Sequence, residues 1–175
     1  MDRALPVIII AILTALALIG MYLGWRARQH RQASLPHPQS APSELGQELL
    51  RCDCLYVATT LAAQPLERIA VSGLGFPGQA GVLVTERGVA LSIAGGSDAF
   101  IPSADLIGVG RATWTIDRAV ESGGLVVVNW MLEGEGKDGN VAVDTYLRIV
   151  DPEDPSDFLQ AIEGRIAANT RSEAQ

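Results

Sequence analysis

Residues 72–94 read "SGLGFPGQAGVLVTERGVALSIA", and two incompatible folds compete for them. Gly73, Gly75 and Gly78 are spaced G-x-G-x-x-G, a pattern that in a dinucleotide-binding unit joins a strand to a helix aimed at a pyrophosphate. The preceding "IAVS" suits the strand. The residues after Gly78 do not suit the helix. The runs 80–85 and 89–93 are short and rich in Val, Leu and Ile. They flank Glu86, Arg87 and Gly88, a polar turn closing on glycine as a hairpin does. Pro77 removes an amide where the motif wants donors. Asp98 stands where the ribose-binding acid would be, at a spacing that chance supplies easily. The stretch is therefore a turn followed by a β-hairpin, and no nucleotide site is expected.

The same texture continues outward. "CLYVATTLA" predicts a strand from about Cys54 to Leu61, and 61–79 a long loop with a short extended piece at 68–71. Strands are expected at 99–101, 106–109 and 112–117 around a turn at 102–104. Two more come at 124–132 and 141–150, joined by the polar "EGEGKDGN". "SELGQELL" (43–50) favours one or two helical turns with Ser43 as N-cap. The chain closes on a helix, with Asp154 as N-cap and Pro155 at its first position. Phe158, Leu159, Ile162 and Ile166 share one face of it. This predicts a mainly β domain with a C-terminal α-helix covering the open end of a bent antiparallel sheet of about seven strands.

At the other end, Ala4–Trp25 is an uncharged run long enough to cross a bilayer core of about 30 Å as a helix. A cleaved signal has a shorter apolar stretch and small residues at its cut site. This run instead closes on Met21, Tyr22, Leu23 and Trp25, so an uncleaved anchor is expected. Tyr22 and Trp25 suit the lipid–water interface. Arg26, Arg28 and Arg31 outweigh Arg3 across the span, which places the N-terminus outside and the C-terminal side in the cytoplasm. Pro36, Pro38 and Pro42 mark a semi-extended spacer. The division is thus an anchor at 1–25, a basic, Pro-rich linker at 26–43 and a β domain at 44–170.

Charge divides the same way. Residues 1–42 carry four Arg and one Asp, and 43–175 carry nine basic and nineteen acidic groups, nets of +3 and −10 within the total of −7. A domain of −10 repels nucleic acid and anionic headgroups. His30 and His37 both precede the domain, which so lacks the commonest general base near neutral pH. Glu133 with Glu135, and Asp151 with Asp154, read as solvated rims rather than acid–base pairs. "DPEDPSD" lacks the ligand spacing of a calcium loop. Cys52 and Cys54 are too few for a structural zinc site; Cys54 is expected to be buried and Cys52 near the surface. No catalytic residue, metal or cofactor is expected. Trp114 and Trp130 are expected in the core. If Trp114 is exposed, Arg111, Trp114 and Arg118 form a candidate protein-binding patch, unless Asp105 and Asp117 pair with those arginines.

"LYVATT" (55–60), "PLERIAVSGLGF" (65–76), "FIPSADLIGVGRATWTIDRAVE" (100–121), "GLVVVNW" (124–130) and "DTYLRIVD" (144–151) carry a resemblance. The chain resembles the small membrane-anchored proteins of actinobacteria that carry a bacterial pleckstrin-homology-like (PH-like) domain. The excess of Arg over Lys, twelve to one, suits a GC-rich genome. The resemblance implies a bent barrel capped by a helix, a membrane or transporter association and no enzymatic activity. Eukaryotic relatives bind phosphoinositides through basic residues in the loop between the first two strands. Here 61–79 offers Arg68 alone, beside Glu67, so that ligand is not expected. The expected partners are the bilayer, through 4–25, and an unidentified membrane protein. A small-ligand or ion-binding module, using the Gly-rich loop or the acids at 151–157, is the alternative.

Overall fold

A computed structural model describes residues 4–32, 35–69, 73–96, 98–112, 114–115, 118–119, 124–134, 139–150 and 155–173. It divides into two units, Met1–Ser34 and Leu35–Gln175. The first is helix α1, Ala4–Gln32. Its stretch Pro6–Ala27 has a mean hydropathy of 2.6 and is long and apolar enough to cross a membrane. Pro6 is tolerated because the first turn has no intrahelical partner for its missing amide.

The second unit is organised by β1, Glu48–Leu61. Further strands are β2 (Gln64–Arg68), β3 (Gly78–Thr85), β4 (Gly88–Ile93), β5 (Ala99–Pro102), β6 (Leu106–Ala112), β7 (Trp114–Thr115), β8 (Arg118–Ala119), β9 (Leu125–Leu132) and β10 (Val141–Ile149). Strands β7 and β8 form a separate two-stranded hairpin that leaves the main sheet after β6. The main sheet runs β5-β4-β3-β1-β10-β9-β6, with β2 also paired to β1. Every pairing in it is antiparallel. The first half of β1 pairs with β3 and its second half with β10, with a register shift between Tyr56 and Ala58. Such a bulge bends the strand, and burial changes there from alternating to continuous.

The expected barrel is corrected: the sheet is not closed. β5 and β6, the two ends of the order, do not pair with each other. A 3-10 turn, Ser103–Asp105, joins them across an open seam. Helix α2, Ser156–Glu173, contacts that turn and β6. Its Phe158 and Ile162 are wholly buried in the core, and Leu159 and Ile166 pack beside them. The apolar spacing of the helix thus reads correctly. Its expected N-cap, Asp154, lies outside the described residues.

Other local expectations are corrected. Residues 43–47 are not helical, and Glu48–Leu50 already pair with Thr85 and Val84 of β3. The ladder offers these backbone groups partners that a two-turn helix at a chain bend cannot. The loop expected over 61–79 contains β2. Cys52 is buried like Cys54, because residues two apart on a strand face the same side.

The core contains a continuous polar chain. Trp130 Nε1 donates to Thr145 Oγ1 (2.9 Å), and the Thr145 and Thr59 hydroxyls meet at 2.9 Å. Thr59 and Tyr56 lie 3.0 Å apart, and Tyr56 Oη donates to the Leu74 carbonyl at 2.8 Å. That carbonyl only accepts, so Tyr56 spends its proton there and Thr59 supplies the proton between them. Every member is satisfied, which is what makes such a chain tolerable in a core. It also explains the glycines. Leu74 is buried between Gly73, at φ +79°, and Gly75, so the motif serves to tuck a leucine under the sheet.

Candidate interaction surface

Alternation on β1, β3 and β4 sends Cys54, Ala80 and Ile93 inward, leaving Asp53, Leu55, Gln79, Gly81 and Ser92 on the outer face. Register places Asp53 opposite Gly81 and Gly81 opposite Ser92. A side chain at Gly81 would meet nothing within 4 Å, so its absence leaves a hollow. With Ala94 and the exposed Val150, these residues line a groove of about 670 Å³. A smaller hollow of about 220 Å³ continues it past Arg51, Leu83 and Asp98 to Ala41. The walls are small and apolar, with Asp53 and Asp98 at the polar edge. Ser92 Oγ donates to Asp98 at 2.5 Å, and Arg51 is paired with Glu48 at 2.8 Å. The arrangement suits an extended backbone with small side chains.

Ala41 belongs to the stretch read from sequence as a semi-extended spacer, and residues 35–42 fall within the second unit. Leu35 packs on the core. The Phe100 amide donates to the Gln39 carbonyl at 2.8 Å, forming an isolated antiparallel bridge to the edge of β5. Gln39 Nε2 reaches Glu133 at 3.1 Å. Beyond it, Arg87 donates to the Glu44 carbonyl (2.8 Å), and the Glu86 amide to that of Gln47 (3.1 Å). The segment is a strap across the seam.

A family described as bacterial PH domain-like matches residues 33–163, from the strap into α2. The chain belongs to that family. PH-like domains are non-catalytic interaction modules, and this one is not an enzyme. No curated protein matches the chain.

The residues singled out from sequence fall partly on α1 and partly within the PH-like domain. Tyr22, Trp25 and Arg26 are exposed on α1, with the two rings 6.3 Å apart. The side chains of Arg28 and Arg31 lie outside the described residues. So do those of Trp114 and Arg118, although their backbones pair in the β7–β8 hairpin. Arg111 is on β6 and donates to Ser156 Oγ at 3.2 Å, tying the strand to the start of α2. Asp105 ends the 3-10 turn at the seam, where burial, and then the nearby Glu133, push its carboxyl up to about 6. Asp117 and Glu135 lie outside the described residues.

Trp130 is buried, as expected. Arg68 turns inward and donates to the Val57 carbonyl, so its charge is engaged by β1. Burial pushes the Cys54 thiol up to about 12 and raises that of Cys52, and both cysteines are free. Neither forms a thiolate nucleophile near neutral pH. Among the described residues no three His, Cys, Asp or Glu side chains gather as a metal would require. The groove itself escapes a reading of sequence because Gly81 is an ordinary strand glycine until register sets it between Asp53 and Ser92.

Proposed function

We propose that the protein is a single-pass adaptor or accessory subunit of a membrane protein or transporter. Residues 4–25 anchor it with the N-terminus outside, and the acidic PH-like domain works in the cytoplasm. Tyr22 and Trp25 settle at the interface, with Arg26, Arg28 and Arg31 on its cytoplasmic side. The excess of Arg over Lys supports an actinobacterial or similarly GC-rich host. One observation carries the adaptor reading: an outer-face groove of about 670 Å³ that the core has no use for, on a domain next in sequence to an apolar helix.

The partner is a protein rather than nucleic acid or phosphoinositide. The domain is acidic, and Arg68, the basic residue of 61–79, is turned onto Val57. The alternative, a small-ligand or ion-binding module, has less support. Its Gly-rich loop is held inward by Leu74 and Tyr56, and residues 151–154 of its acidic cluster lie outside the described residues.

Crosslinking in intact cells tests the reading. The full-length protein, a Gly81→Arg variant and the anchor without its domain would be recovered from solubilised membranes. One membrane protein near stoichiometry with the first, and lost from the other two, is the expected result. Recovery of the protein alone from all three would sink it. Protease access in sealed cells and in inverted vesicles tests the orientation separately.

A further inference from the structure

β5 ends the sheet order, and its outer edge already has an occupant, the strap. The strap is a poor strand. Pro36, Pro38 and Pro42 have no amide to give to a ladder, and a single bridge, Gln39 to Phe100, forms along the four residues of β5. The Gln39–Glu133 bond and the packing of Leu35 add to its hold. The edge is bounded by acids, with Asp98 before it and Asp105 and Glu133 beyond its far end. Nearby cations are engaged elsewhere, Arg51 with Glu48 and Arg87 with the Glu44 carbonyl.

We propose that the outer edge of β5 is a strand-addition site, occupied at rest by residues 35–42, that accepts an extended cationic segment of a membrane protein in the same bilayer. The proposal rests on the adaptor reading and names its partner's chemistry. A strand with amides makes ladder bonds that the prolines of the strap cannot, so it displaces the strap. The acids select positive charge, and Asp105, whose carboxyl is pushed up to about 6 by burial and then by Glu133, gains a counter-charge from it. Cytoplasmic flanks of membrane helices are rich in Lys and Arg, and tethering raises their effective concentration at the domain.

The test uses full-length protein in lipid nanodiscs carrying Ser40→Cys with a spin label; Ser40 is exposed, whereas Cys52 and Cys54 are buried. The probes are a peptide alternating Arg with Val and Thr, and its counterpart with Gln for each Arg. The Arg peptide should bind and free the label, and the Gln peptide should bind at least about tenfold more weakly. Leu35→Ala with Gln39→Ala should tighten Arg-peptide binding about fivefold by weakening the competitor. Should that variant fail to fold, Asp98→Asn with Glu133→Gln should weaken Arg-peptide binding by a similar factor. A label that stays immobile with peptide bound, equal affinity for the two peptides, or no effect of the acid substitutions overturns the site. A partner recovered by crosslinking despite such a failure leaves the adaptor reading standing. Strap release without any recovered partner removes that reading and keeps the edge.

Discussion

The two flanks of β1 and the seam between β5 and β6 solve the same problem differently. β1 has β3 on one side and β10 on the other, so its backbone groups are met by ladders. Side chains there are left to fill space, which they do with the Trp130–Thr145–Thr59–Tyr56 chain. At the seam no ladder joins the strands, and pieces from far along the sequence take over: α2 from the C-terminal end and the strap from the N-terminal end. A continuous ladder makes a rigid wall, whereas a stitched gap can be unstitched. That difference places the rigid groove on β1, β3 and β4, and the exchangeable edge on β5.

The strongest way to break the contrast is Trp130→Ala. Trp130 is 2% exposed, and its loss removes both packing and the donor that starts the polar chain. A destabilisation of about 3–5 kcal/mol is expected in urea unfolding of the micelle-bound protein, with the whole domain losing amide protection together. Loss of protection confined to β9 would mean that the ladder side is no more cooperative than the seam. Gly88→Ala tests the seam itself. Gly88 has φ +152°, and a Cβ there would lie 2.1 Å from the Ile101 carbonyl oxygen on β5. Strain and overpacking of about 2–4 kcal/mol should lift β5 from β4 first, seen as early exchange across 88–91 and 99–101.

The contrast also marks what the sequence reveals. Strands β3, β4, β9 and β10 are legible because each has a partner next to it in sequence, in the β3–β4 and β9–β10 hairpins, and Phe158, Leu159, Ile162 and Ile166 because one helix holds them all. The start of β1 is not: Glu48, Leu49 and Leu50 are good helix formers, and only pairing with β3, over thirty residues away, overrides them. β2 hides behind Pro65 and its polar neighbours. Closure of the sheet is a property of its two ends and leaves no local pattern. The strap is the extreme case, since three prolines in eight residues read as a spacer and its one bridge spans 39 to 100. The candidate site is illegible for the same reason, being assembled from β1, β3, β4 and the strap.

A smaller effect separates the strap from the wall. Leu35→Ala with Gln39→Ala removes partial apolar packing and one exposed hydrogen bond, together about 1–2 kcal/mol. Exchange at Phe100 should rise at least about tenfold while the amides of Tyr56 and Thr145 keep their protection. Parallel loss at all three would show that the strap is part of the global folding unit and not a separable stitch.

The smallest effect is electrostatic and also belongs to the seam. Burial, with Glu133 adding to it, raises the folded pKa of Asp105 to about 6, so the folded protein holds this proton more tightly than the unfolded chain does. Between about pH 6 and pH 4 the folded carboxyl is protonated while the unfolded one is ionised. The contribution of Asp105 to stability therefore rises as pH falls through that window and levels off below it; above about pH 7 both states are ionised and the penalty is constant. Asp105 is only partly buried, and solvent screening holds the change to under about 1 kcal/mol. Asp105→Asn should flatten this part of the profile and raise stability slightly at pH 7. Urea midpoints measured at pH 4.5 and 7 on both proteins decide it. An unaltered slope in the variant would mean that the acids at the seam are already neutralised, and that the edge of β5 has less need of a cation than its surroundings imply.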